Sequence, residues 1–180
     1  MKRIRVPISG LISVSTSGTN LTEAMKVADP ARTIRLQVIE GALSVEHQLD
    51  AVILHYFFGE SHDRRAAFAS LVLSSDWCSF AAKRKLIAHI INEQELLKGS
   101  EKNEFDNLMR KVMTTRDAFA HGRLSSDDKR VWLSYFAGIP QKQELTDEYL
   151  TEIETLLCEG VSKANALAVK IGAKKPAENS

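Results

Sequence analysis

The stretch Thr115-Arg116-Asp117-Ala118-Phe119-Ala120-His121-Gly122 closes a segment whose apolar residues, Phe105, Leu108, Val112, Ala118 and Phe119, keep a mostly helical spacing. That spacing predicts a helix over 101–122 with one stripe buried. Ser100 reads as its N-cap, Glu101 and Glu104 suit the positive end of the helix dipole, and Gly122 reads as the residue just past the C-terminus. Asp117 and His121 stand four apart, about 40° around a helix, so they share a face. Arg116 is five residues before His121, about 140° round, but its stem is long enough to bring the guanidinium toward the imidazole. An acid–base group, a carboxylate to orient it and an anion-binding fork thus gather at one helix end.

Outward from this segment the chain reads as more helix. Asn20 with Glu23 forms a capping box for a short helix ending before Pro30, and Asp29-Pro30 starts a long one over 31–58. Ile34, Val38, Val45, Leu49, Val52 and Tyr56 form its stripe, widened by Leu36, Ile39, Leu43, Ile53 and Phe57. So wide an apolar surface calls for burial on more than one side, in a bundle or a dimer interface. Gly41 costs helix propensity, which points to close packing or a bend there. A short helix or turn over 65–73 precedes a helix over 77–97, capped by Ser74, Ser75 and Asp76, with Phe80, Ile87, Ile90 and Ile91 inward and Lys83-Arg84-Lys85 outward. After the motif, 123–129 reads as loop, Val131-Trp132-Leu133-Ser134-Tyr135-Phe136 as a strand, and Gly138-Ile139-Pro140 as a turn into a return segment near 143–145. A last helix starts at Thr146-Asp147-Glu148 and carries Tyr149, Ile153, Leu156, Ala164, Leu167 and Ile171 at helical period. The organisation expected is one helical domain over 1–172, irregular over 1–20 apart from a short strand near 4–8, with a disordered tail over 173–180.

Composition bounds the function. The chain has 180 residues, 44% hydrophobic and 26% charged, as an ordinary globular domain does, and its formal net charge is only +1. A polyanion would have to be held by a local basic patch. Cys78 and Cys158 are its two cysteines, without a CxxC or Cys/His cluster, so they read as reduced thiols. No apolar run reaches the ~18 residues of a membrane span, and the basic start is interrupted by Pro7 and Gly10. A cytoplasmic protein with no membrane contact is expected. Glu46, His47, Asp50 and His55 do not match a zinc-binding spacing, so no metal site is expected. Trp77 and Trp132 read as core.

Arg116-Asp117-Ala118-Phe119-Ala120-His121 resembles the Arg–polar–x–x–x–His signature of the HEPN superfamily (higher eukaryotes and prokaryotes nucleotide-binding), followed by the glycine often seen there. The order of elements over 30–170 is similar to several of its members: a long helix, a helix with a Lys/Arg cluster, the motif helix, then a hairpin. The resemblance implies a mainly all-α antiparallel bundle of the HEPN type with a small β-hairpin after the motif helix. It also implies a homodimer whose motif helices face each other across a cleft. The activity implied is metal-independent, cofactor-free RNA cleavage, with His121 as acid or base, Arg116 on the phosphate and Asp117 orienting the imidazole. Lys83, Arg84, Lys85, Arg110, Lys111 and Arg123 are the candidate RNA contacts.

The same residues admit plainer roles. A histidine in a last helical turn is favoured by the dipole, and Asp117 adds a small ion-pair contribution. Arg116 and the Lys83–Lys85 run read equally as solvated surface. The alternative functions are a non-enzymatic helical dimer that binds RNA or protein, and a toxin held by an antitoxin or other regulatory protein.

Overall fold

The computed structural model describes residues 21–60, 63–126 and 130–173; the expectations for 1–20 and for the tail past 173 lie outside them. Helix α1 (Leu21–Phe58) runs through Pro30 without a break, where the sequence predicts two helices. A proline inside a helix removes one backbone hydrogen bond and crowds the preceding turn, at about 3 kcal/mol. Beyond it the helix is anchored: Ala31, Val38, Ala42, Val45, Leu49, Val52 and Ile53 are all in the core. Three helices of the same chain pack on α1, so its wide apolar surface is largely covered without a second copy.

A short helix, α2 (Arg65–Phe68), passes into one π-helical turn (Ala69–Leu73). Helix α3 (Phe80–Glu93) begins later than the 77–97 expected, because Ser79 is the cap: its backbone is extended and its Oγ accepts from the Ala82 N–H at 3.3 Å. Trp77 therefore falls in the turn before the helix and is 71% exposed, a correction to its expected place in the core. Helix α4 (Ser100–His121) buries Phe105, Leu108, Met109, Val112, Ala118 and Phe119, the predicted stripe plus one residue. Its N-cap is Gly99 rather than Ser100, at a φ of +53° that favours glycine.

Three strands follow, β1 (Arg123–Ser126), β2 (Val131–Phe136) and β3 (Pro140–Glu144), as an antiparallel sheet in that order. The expected hairpin is thus a three-stranded meander. The extra strand lies in what reads as loop because Arg-Leu-Ser-Ser holds one apolar residue, too few to show alternation. Leu124 supplies the anchor, paired with Leu133 and buried with it. The chain closes with α5 (Asp147–Ala173), capped by Thr146 Oγ1, which accepts from the Tyr149 N–H at 3.2 Å. Where α5 crosses α1, a Cβ on Gly41 would stand 2.8 Å from Leu157 Cδ1, so close packing accounts for that glycine. Among the described residues no helix is long and apolar enough to cross a membrane.

Gly122 joins α4 to the sheet and is extended, at φ −72° and ψ 159°, so left-handed backbone does not explain it. Space does. A Cβ there would meet the Ala118 carbonyl oxygen at 2.2 Å, Leu133 Cδ1 at 2.8 Å and the Ser134 carbonyl oxygen at 3.1 Å. Two of those atoms are backbone and cannot swing away. Gly122→Ala is expected to destabilise the protein by about 1–3 kcal/mol, as overpacking does. Urea unfolding measures this, and an unchanged midpoint would mean that β2 yields freely at the junction.

Candidate functional site

Arg116, Asp117 and His121 all lie in the last turns of α4, and the structure joins only two of them. Arg116 Nη1 donates to Asp117 Oδ1 at 3.3 Å, with both side chains partly exposed. Asp117 is therefore turned to the guanidinium beside it, and among the described residues no bond joins it to the imidazole. A guanidinium is a permanent cation with five donors and takes a neighbouring carboxylate readily. His121 is exposed, and no described residue donates to it or accepts from it. Its position is nevertheless fixed from behind: Arg35 of α1 reaches across and donates from Nη2 to the Gly122 carbonyl. Burial lowers the Arg35 pKa below the usual arginine value, the mark of a guanidinium partly withdrawn from water. Sequence reasoning missed Arg35, which stands between Ile34 and Leu36 of α1 with no motif around it.

Arg116 also lines a cleft of about 480 Å³ between α1, residues 73–79 and the start of α3. Glu46, Asp50, Asp76 and Lys83 line it too. Lys83 is only 3% exposed, and its Nζ lies 2.8 Å from Glu46 Oε1 and 2.8 Å from Asp50 Oδ1. Its expected outward placement, and with it direct RNA contact, is corrected. Burial works against the charge on Lys83, but hydrogen bonds and charge from Asp50 and Glu46 outweigh it and hold the pKa above the ordinary lysine value. One ammonium shared by two carboxylates satisfies neither fully. For Asp50 burial is the larger influence and keeps its carboxyl above the usual range, against the pull of Lys83.

The other candidate RNA contacts divide. Arg84 on α3 and Arg110 on α4 both bind Asp106, Arg110 Nη2 at 3.2 Å, so both charges are engaged at the α3–α4 seam. Lys85, Lys111 and Arg123 are exposed. The six cations thus form no single groove in one chain.

Among the described residues no three His, Cys, Asp or Glu side chains are grouped to hold a metal ion. His47 is exposed, whereas His55 is half-buried and burial lowers its pKa. Both cysteines are free thiols. Burial raises the Cys78 pKa and so disfavours the thiolate a nucleophile needs. Replacing Cys78 and Cys158 together by serine is expected to leave any cleavage activity intact, at roughly 1–2 kcal/mol of stability for the half-buried one. Loss of activity in a folded double variant would reveal a thiol site. No protein-family model, curated protein or solved structure matches the chain.

Proposed function

We propose that the chain is a HEPN-type endoribonuclease acting as a homodimer, with Arg116 and His121 of two copies meeting at one site. The observation that carries this reading is an exposed His121 with no partner among the described residues, next to a Gly122 carbonyl held by Arg35 and five residues on from an arginine that lines an open cleft. Such a histidine is free to exchange a proton with a bound strand. Arg116 is partly exposed and, among the described residues, held by Asp117 alone, so a phosphate can compete for its fork.

In the proposed mechanism one His121 takes the proton from a ribose 2′-hydroxyl as that oxygen attacks the adjacent phosphorus. The bond to the 5′-oxygen breaks, and the His121 of the second copy returns a proton to that leaving oxygen. The arginines hold the charge that builds on the non-bridging oxygens. The products are a 2′,3′-cyclic phosphate and a 5′-hydroxyl, and DNA is spared for want of the 2′-hydroxyl. No step calls on a metal ion.

A second reading, an RNA- or protein-binding dimer without catalysis, draws on the Arg116–Asp117 pair, which also suits a purely structural motif. A toxin held by an antitoxin is the first reading with a partner added. Purified protein incubated with mixed RNA in excess EDTA tests them: cyclic-phosphate ends are expected, and intact RNA favours the binding module. Light scattering at micromolar concentration is expected to return a dimer. A monomer that cleaves at full rate would remove the two-copy site.

A further inference from the structure

The outward face of the sheet is the surface the proposed site leaves unused. The register puts Arg123, Ser134 and Lys142 in one row across the three strands, and Ser125, Trp132 and Glu144 in the next. Phe136, two residues beyond Ser134, takes the same side as Trp132, because side chains alternate along a strand. Leu124 and Leu133 occupy the opposite face and are buried, which fixes Trp132 and Phe136 as outward. Phe136 is 74% exposed, unusual for a residue of its size. Lys142 Nζ sits 4.6 Å over the Trp132 ring, a cation–π contact that occupies one face of the half-buried indole.

The charge on this face is also distinctive. Among the described residues its cations are Arg123, Arg130 and Lys142 and its carboxylate is Glu144, with Arg130 Nε at 3.9 Å. Aromatic faces interleaved with cations on an open sheet are what a single nucleic-acid strand requires: bases stack on the rings and phosphates lie against the cations. Four residues of strand set Trp132 and Phe136 about 13 Å apart. β1 starts at Arg123, two residues after His121, so a strand lying on the sheet runs up to the histidine.

We infer that the outer face of the β1–β3 sheet is a binding platform for single-stranded RNA, with Phe136 stacking a base and Arg123 and Lys142, the latter set over Trp132, holding phosphates. This rests on the reading that the chain acts on RNA and adds where the strand lies.

Fluorescence anisotropy with a fluorescein-labelled twelve-residue oligouridylate tests it, on His121→Ala protein so that cleavage does not intervene. Phe136→Ala, at an exposed position, is expected to weaken binding between about fivefold and a hundredfold, the range for losing one stacked base. Arg123→Gln with Lys142→Gln is expected to reduce the slope of log K against log salt by about 1.4, two single-strand phosphates' worth. Trp132→Phe keeps a ring under Lys142 and should bind; Trp132→Ala, which removes that seat, should bind more weakly. Parent-like binding by Phe136→Ala and by the charge variant overturns the platform. So does a parent that binds no oligomer at tens of micromolar, which leaves the face to a protein. If wild type cleaves RNA and the platform substitutions leave binding unchanged, and leave cleavage unchanged when made in wild type, the platform alone fails. If the variants lose binding and wild type never cleaves, the nuclease reading alone fails.

Discussion

RNA cleavage by the His121→Ala protein is expected to fall by about 10²–10⁴-fold, the usual loss when a general acid or base is removed. Stability should barely move. His121 is exposed at the end of α4 and has no partner among the described residues, so its fold contribution is limited to the helix dipole, about 0.3–1 kcal/mol. The two roles therefore separate by magnitude. A structural histidine lowers the melting temperature slightly and spares activity; a catalytic one does the reverse. Arg116→Lys should be badly impaired as well, because the charge survives and the two-pronged fork does not. Asp117→Asn should be milder. Its carboxylate faces Arg116 rather than the imidazole, and asparagine still offers an oxygen to that guanidinium. Wild-type rates for His121→Ala would end the nuclease reading and leave the binding module.

Much of this arrangement is legible before any coordinates. Helical period placed the buried stripe of α4, and strand composition placed β2 at Val131–Phe136. What escaped was decided by contacts distant in sequence. Gly122 reads as a helix terminator, yet the carbonyl of Ser134 and the side chain of Leu133 exclude a Cβ there. β1 exists because Leu124 finds Leu133, not because Arg-Leu-Ser-Ser favours a strand. Lys83 is the instructive miss. Grouped with Arg84 and Lys85 it looks like a solvated run, but it falls on the step between Phe80 and Ile87, inside the buried stripe of α3. Spacing outranked charge. Glu46 and Asp50, four apart on α1, were its waiting partners.

That miss yields the second large effect. Lys83→Met is expected to destabilise the protein by about 3–5 kcal/mol, the cost of removing one member of a buried ionic cluster. Total stability of a domain is only about 5–15 kcal/mol, so much of it would be lost. The cause is not the missing attraction alone. Glu46 and Asp50, at 13% and 19% exposure, would be left facing each other without the cation. Neutralising them should therefore rescue part of the fold: Lys83→Met with Glu46→Gln and Asp50→Asn is expected to recover some of the loss, since no uncompensated charge is left buried, though the amides keep a smaller desolvation cost. The pH dependence has a definite sign. The folded-state pKa of Lys83 is raised, so its contribution is complete below the unfolded value of about 10.4 and fades as pH climbs above it. Wild type should lose stability through that alkaline window more steeply than the triple variant, as urea unfolding at several pH values would measure. A Lys83→Met cost below about 1 kcal/mol, the scale of a surface ion pair, would place the ammonium in solvent after all.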